Sequence, residues 1–215
     1  MRTLTLEVGE LAANCHIAYA DGPAGGETVP CVVVDPGAEP GRIDAEIRKA
    51  GLALELILLT HSHADHIGGV TGLLAAWPGA VLACSAETSR RGGDPNLNLS
   101  LLLGPPIRIR PAGRILADGE TFSAAGLDWR AAEVPGHEPG EMVYLADGGR
   151  FAFTGDTVFA GSVGRGDFPG GDGPALVAGV RRLLASLSPD AAVLPGHGPA
   201  SRAGRELATN PFLLD

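Results

Sequence analysis

The sequence predicts an α/β fold, with strands alternating with amphipathic helices, and three observations carry the prediction. Short apolar runs of strand length recur, among them Cys31-Val32-Val33-Val34, Leu56-Ile57-Leu58-Leu59, Phe151-Ala152-Phe153 and Ala191-Ala192-Val193-Leu194. Such runs, bounded by turn residues, read as strands buried on both faces. Apolar residues at helical spacing accompany them, as in Ile43, Ile47 and Ala50, and in Leu176, Val180, Leu183, Leu184 and Leu187. Several runs end on Gly- or Pro-flanked turns that carry histidine or aspartate.

Taken in order, residues 2–8 alternate and read as a half-buried strand, Asn14 to Ala20 as a second, and Gly22 to Glu27 as a hairpin-like loop. His16 lies inside the second strand and reads as a packed or surface residue rather than a ligand. Asp35 closes the next strand before Pro36-Gly37, where it either buttresses a neighbouring loop or makes the turn. Residues 41–50 form an amphipathic helix whose charges need no functional explanation. A strand follows at 80–84, and residues 85–106 read as a surface excursion with a solvated Arg90-Arg91 pair and an apolar patch from Leu99 to Leu103. Ile107 to Val134 carries short strands, with Trp129 as core, and residues 174–187 form a helix before the final buried run.

The densest chemistry is Thr60-His61-Ser62-His63-Ala64-Asp65-His66, directly after the Leu56–Leu59 run. In extended chain, side chains two apart point the same way, so His61 and His63 can share one metal ion. Asp65 and His66 follow the turn and can face a second ion. Behind them Ile67, Val70, Leu74 and Trp77 recur at helical spacing, so the loop is held between a strand and a helix. His137, Asp156 and His197 share that context, each on a turn after an apolar strand, which brings five of the six histidines to strand ends.

Bulk properties narrow the class. The 215 residues suit one domain with a sizeable core. A formal charge of −9 argues against nucleic acid, whose binding rests on Lys and Arg. No apolar run approaches a membrane span. The N-terminus alternates and has no continuous apolar stretch of the signal-peptide kind. Cys15, Cys31 and Cys84 are odd in number and lack metal-type spacing, as expected of reduced thiols in a cytoplasmic protein.

His61-Ser62-His63-Ala64-Asp65-His66, Gly136-His137, Gly155-Asp156 and Gly196-His197, in that order, resemble the metallo-β-lactamase superfamily. The resemblance implies a four-layer αβ/βα sandwich, two mixed sheets face to face with helices outside and metals at one edge. Asp94-Pro95-Asn96-Leu97-Asn98-Leu99-Ser100, Phe159-Ala160-Gly161-Ser162-Val163-Gly164-Arg165 and Asn210-Pro211-Phe212-Leu213 resemble the small single-domain glyoxalase II branch. It implies that His61, His63 and His137 bind one metal, that Asp65, His66 and His197 bind another, and that Asp156 bridges them. Asp65 and Asp156 would thereby serve catalysis, and Arg165 would anchor substrate or, in the favoured reading, pair with an aspartate. Where the family has Thr-Pro-Gly-His-Thr-Pro-Gly-Ser, this chain has Val134, Glu138 and Glu141 in place of the threonines and serine, which adds carboxylates near metal one. The sequence ends 18 residues after His197, so the expected organisation is a single domain over residues 1–215 without the helical glutathione-binding domain of the two-domain members.

All seven expected ligands offer nitrogen or oxygen, which suits Zn²⁺ first, and also Fe or Mn. Two ions about 3.5–4 Å apart can hold one hydroxide between them near neutral pH, and its attack on a carbonyl carbon is the expected chemistry. A thioester suits it, because a thiol of ordinary pKa near ~8.5 leaves without a dedicated acid. The resemblance thus implies hydrolysis of a small-molecule 2-hydroxyacyl thioester such as S-lactoylglutathione. Alternatives within the superfamily are a mononuclear iron persulfide dioxygenase, whose Gly-Arg-x-Asp-Phe stretch resembles Gly164-Arg165-Gly166-Asp167-Phe168 here, and a lactonase. A metal-stabilised binding module that turns nothing over is the non-enzymatic alternative.

Overall fold

The computed structural model describes residues 1–21 and 28–214, so the hairpin expected at Gly22 to Glu27 lies outside the described residues. The first half runs β1 (Arg2–Val8), β2 (Ala13–Tyr19), β3 (Val29–Val34), α1 (Pro40–Lys49), β4 (Leu52–Leu58), α2 (Ala64–Ile67), α3 (Val70–Ala76), β5 (Val81–Cys84), α4 (Ala86–Gly92), α5 (Ser100–Leu103) and β6 (Arg114–Ile115). The second half runs β7 (Thr121–Ala124), β8 (Leu127–Glu133), β9 (Met142–Ala146), β10 (Phe151–Gly155), β11 (Val158–Phe159), β12 (Ser162–Val163), α6 (Gly173–Ala185), β13 (Ala192–Pro195), β14 (Ser201–Arg202) and α7 (Ala203–Thr209).

Strand alternation sorts these elements into layers. In β3, Val32 and Val34 face one way, and there they meet Leu56 and Leu58 of β4 and Trp129, Tyr144 and Phe153 of the other half. Cys31 and Val33 face the opposite way, against Ile43 and Ile47 of α1 and Val70 and Leu73 of α3. The second half mirrors this arrangement: Val143, Ala152 and Val193 turn outward onto Leu176, Val180 and Leu184 of α6. Strands buried on both faces need apolar residues at every position, which is why they read as continuous runs rather than alternations. The result is helix, sheet, sheet, helix, as the sequence leads one to expect.

One six-stranded sheet has the order β1-β2-β3-β4-β5-β6 and the other β14-β13-β10-β9-β8-β7. The β3–β4, β4–β5 and β10–β13 pairs are parallel, so α1, the α2–α3 segment and α6 are crossovers. Parallel pairing carries the ends of β4, β10 and β13 to one edge of the sandwich, and β8 ends there too. Backbone bonds tie the sheets together at that edge: Met142 N donates to Thr60 O at 2.8 Å and Asn14 N to Gly196 O at 2.7 Å.

Two local expectations need correction. The helical stretch after the histidine cluster is two short helices, because the chain breaks at Gly68-Gly69, where added Cβ atoms would sit 2.4 Å from Gly37 O and 2.7 Å from Pro36 O. The 85–106 stretch, expected as a surface excursion, holds two short helices, α4 and α5, with Ser85 capping α4 through Thr88 N, and it buries Thr88, Arg91, Asn98 and Ser100. Among the described residues no helix is long and apolar enough to cross a membrane.

Candidate metal centre

The seven expected side chains meet at the shared edge. His61 and His63 leave β4 in extended chain, and Asp65 and His66 lie on α2, which begins after His63. His137 hangs from the loop after β8, Asp156 follows β10 and His197 follows β13. One ligand atom each of His61, His63 and His137 falls within 4.8 Å of the others, and the same holds for Asp65, His66 and His197. Asp156 stands between the two groups. Its Oδ1 is 3.4 Å from His66 Nε2, and its Oδ2 is 3.7 Å from both His137 Nε2 and His197 Nε2. His197 Nε2 also approaches Asp65 Oδ2 at 3.2 Å.

Close glycines permit this crowding. A Cβ on Gly196 would lie 2.4 Å from Asp156 Oδ1 and 2.6 Å from His66 Cε1. Gly155, at φ +49°, lets the chain turn into Asp156, and a Cβ there would meet Thr60 Oγ1 at 2.2 Å. Neither position can hold a larger residue without moving a site side chain.

Supporting hydrogen bonds hold the imidazoles. Asp35 accepts from Thr60 N at 2.8 Å and Thr60 Oγ1 at 2.6 Å, and its Oδ2 lies 3.0 Å from His66 Nδ1. Thr60 Oγ1 is also 3.0 Å from His61 Nδ1. Asp35 therefore does both things the sequence allows: it turns the chain, at φ +52°, and buttresses the loop. With its oxygens committed to those bonds it is a support rather than a ligand, although it lies within ligand distance of His61 and His66. His137 Nδ1 meets Arg165 O at 2.8 Å. The Arg165 side chain is exposed and ion-paired to Asp167 at 2.6 and 2.8 Å, in line with the favoured expectation. His16 is buried between Thr5 Oγ1 and Pro195 O, each at 3.0 Å, and is a packed residue.

A larger support was missed in the sequence. Arg91 is not solvated: it is 4% exposed, and its Nε donates to Glu138 Oε1 at 2.6 Å. Glu138 in turn accepts from Ser62 N and Ser62 Oγ, between the two first histidines. Arg91 also reaches Leu97 O and Pro169 O at 3.3 Å, so one guanidinium joins three loops around the site. Only Arg90 of the pair is exposed, with Glu87. The Ser85 cap, with Thr88 and Arg91 one turn apart on the buried face of α4, was the available signal. Glu138 thus faces Arg91 rather than open solvent. Glu141 is buried with no hydrogen-bond partner on either oxygen, and burial, with Asp156 and Glu138 nearby, pushes its carboxyl well above the ordinary range.

Electrostatics match the donor roles of His61, His63, Asp65 and Asp156, whereas His66 is held protonated by its carboxylate neighbours and would exchange that proton for a cation. Burial, reinforced by the neighbouring histidines, pushes His61 well down and His63 down to about 3, so both offer neutral nitrogen. Burial works against the Asp65 and Asp156 carboxylates, yet His66 and His197 outweigh it and hold both below their ordinary value. Burial likewise opposes charge on His66, but Asp156 and Asp65 keep its pKa well above the usual imidazole range. The Nε2 atoms of His61, His63 and His66 and Oδ1 of Asp156 are buried without hydrogen-bond partners. Buried polar atoms are normally satisfied, so the three of these that face one another across the cluster, His61 Nε2, His66 Nε2 and Asp156 Oδ1, fit the binding of cations. His63 instead presents Nδ1 there, 2.9 Å from His137 Nε2, while its Nε2 lies 3.9 Å from Glu138 Oε1. The donors are hard to borderline, nitrogen and oxygen, as divalent transition ions prefer.

A cation-ready cluster at the carboxyl ends of strands, between two packed sheets, defines a metal-binding αβ/βα sandwich protein. The chain belongs to the metallo-β-lactamase superfamily: the family described as "Metallo-beta-lactamase superfamily" matches residues 28–197. It is 32% identical to "Hydroxyacylglutathione hydrolase GloC" of Haemophilus influenzae, over 93% of this chain and 92% of the relative. Among solved structures, a B3 metallo-β-lactamase named BLEG-1 superposes with a TM-score of 0.92 at 29% identity, over 100% of both chains. TTHA1623, solved in a di-iron-bound form, superposes with a TM-score of 0.82 at 34% identity, over 98% of this chain and 100% of that one.

Proposed function

We propose that this protein is a dinuclear metal-dependent hydrolase of thioesters, with an S-2-hydroxyacylglutathione as its substrate. The observation that carries the reading is the convergence of seven nitrogen and oxygen donors in two adjoining groups with Asp156 between them. His61, His63 and His137 would hold one divalent ion, Asp65, His66 and His197 the other, and Asp156 would touch both. Zinc suits these donors, and iron or manganese would fit as well. Bound there, the ions would acidify a water to a nucleophile near neutral pH and polarise the substrate carbonyl.

The chain's own residues do the rest. Asp65 and Asp156 stay ionised, so they offset cationic charge and can accept a hydrogen bond from a water facing the substrate. His61 and His63 stay neutral, their ring orientations set by Thr60 and by the walls of the site. A leaving thiol needs no acid from the protein, which accords with the lack of a free cationic donor among the described pocket-lining residues: Arg165 is engaged by Asp167. The relative named as a hydroxyacylglutathione hydrolase supports glutathione as the thiol.

The test is loss of thioester absorbance on mixing the purified protein with S-lactoylglutathione, with metal content measured on the same sample. Rapid loss at two ions per chain is expected. No loss with the ions in place would discard the glutathione thioester and favour iron-dependent oxygen chemistry on a persulfide, read as dioxygen consumption.

A further inference from the structure

The open space in front of the donor cluster, about 420 Å³, has a wall the reaction does not account for. Leu11, Leu99, Leu102, Leu103, Phe159 and Phe168 line it alongside the site residues. Leu11, Leu102 and Leu103 are 49%, 74% and 55% exposed, three of the eight large hydrophobics left in solvent among the described residues. Scattered exposed leucines need no explanation, but a concentration at the mouth of a reactive cavity does. The local fold puts them there deliberately: Leu99 takes a left-handed φ of +62°, and Asn98 Oδ1 accepts from Ser100 N, so the single turn of α5 stands proud with its leucines outward. Arg165, the one arginine or lysine among the described residues that line the cavity, is paired with Asp167, and its guanidinium carbon lies 4.2 Å from the Phe168 ring centroid, so its charge is already compensated.

We infer that this wall receives the acyl half of the substrate, and that the enzyme selects 2-hydroxyacyl thioesters whose acyl chain is longer or more apolar than lactoyl. The inference rests on the thioesterase reading above. Glutathione carries two carboxylates and an ammonium, which would lose hydration against leucine and phenylalanine without gaining a partner. In a glutathione thioester the acyl group is therefore the part that can lie on this wall. The cavity is of ordinary size for a small-molecule site, with room for more than the one methyl of lactoyl.

The experiment compares matched glutathione derivatives. A buried methylene contributes about four-fold (~0.8 kcal/mol), and about two-fold is expected where it stays half in water. kcat/KM for S-2-hydroxyhexanoylglutathione should exceed that for S-lactoylglutathione by about ten-fold or more. S-hexylglutathione, a thioether that cannot be cleaved, should bind the metal-loaded protein at least ten-fold tighter than S-methylglutathione by calorimetry. Leu102→Asp, at a position too exposed to endanger folding, should abolish both differences. Equal rates and equal binding across each pair would overturn the inference while leaving the thioesterase standing. No cleavage of either ester would overturn the thioesterase, and the thioether pair would then still decide the wall's role. A Leu102→Asp protein that changes oligomeric state but keeps both ratios would also overturn it, assigning the leucines to contact between copies.

Discussion

Asp35 is the residue on which the geometry of the site turns, although it is not among the seven donors. Its two oxygens serve Thr60 N, Thr60 Oγ1 and His66 Nδ1, and through Thr60 they reach His61. Partners of this kind orient metal-binding histidines, and their loss typically costs ~10–100-fold in metal affinity or activity. Asp35→Asn should therefore keep the fold but bind zinc about ten-fold or more weakly, measured by competition with a chromophoric chelator; unchanged affinity would reduce Asp35 to a turn residue. Direct donors should behave more sharply. His63→Ala or Asp156→Ala should lower both the metal content and the rate, and a fully loaded, fully active variant would remove that residue from the proposed set. The three thiols allow a check on burial that is independent of the site. Burial pushes Cys31 and Cys84 up to about 12, and Cys15 higher still. Thiolate is the reactive form, so alkylation of the folded chain should stay negligible through mildly alkaline pH. In urea all three should react at rates rising ten-fold per pH unit below ~8.5. Fast labelling of the native chain would contradict the packing of β2, β3 and β5.

At the scale of elements, α4 matters more than its seven residues suggest. Arg91 on this helix and Glu138 in the loop after β8 form a buried pair whose carboxylate also receives Ser62 N and Ser62 Oγ. Breaking one partner of a buried pair leaves an uncompensated charge and costs about 3–5 kcal/mol, whereas replacing both with apolar residues can be close to neutral. Arg91→Met should lower the urea midpoint accordingly, and Arg91→Met with Glu138→Met should recover only part of the loss, because Ser62 N and Oγ are then left without their acceptor. Metal affinity should not recover with it, because the double variant still lacks the acceptor that holds Ser62 between His61 and His63. Recovery of both would show that the pair acts on stability alone. Local pattern could not disclose this pair. Its members lie 47 residues apart, and adjacent arginines give no sign of which one turns inward until Ile109 and the rest of the core fix the face of α4.

For the whole molecule, the site lies where the two sheets meet, so its occupancy and the stability of the sandwich are linked. Donors from β4, β8, β10 and β13 ends come together only in the folded chain, and a ligand that binds only the native state stabilises it by about 2.7 kcal/mol at 100 times its Kd. For a chain of this size that corresponds to roughly 5–10 °C in Tm. Removing metal with a chelator should lower Tm by about that amount, and zinc should restore it. No shift would mean that the cluster is preformed and indifferent to cations. The same closure sets the apolar wall, since the leucines of α5 and Phe168 lie beside the donors only because both halves of the chain close on one edge.

The strands, the main helices and the positions of the donors were legible in the sequence by itself. Each follows from local order: apolar runs that must be buried on both faces, helical spacing, and polar turns carrying histidine or aspartate directly after a strand. The short elements β11, β12, β14 and α7 were not, since two-residue strands and a seven-residue helix that buries only Ala203 and Glu206 leave no periodicity to read. Only the tertiary structure decided that Asp35 supports rather than binds, that Arg91 is buried while Arg90 is exposed, and that Leu102 faces the cavity. The reason is physical. Periodicity records how a residue relates to its own element, whereas a hydrogen bond or an apolar wall depends on which distant segment packs against it, and that choice is made by the closure of the two sheets.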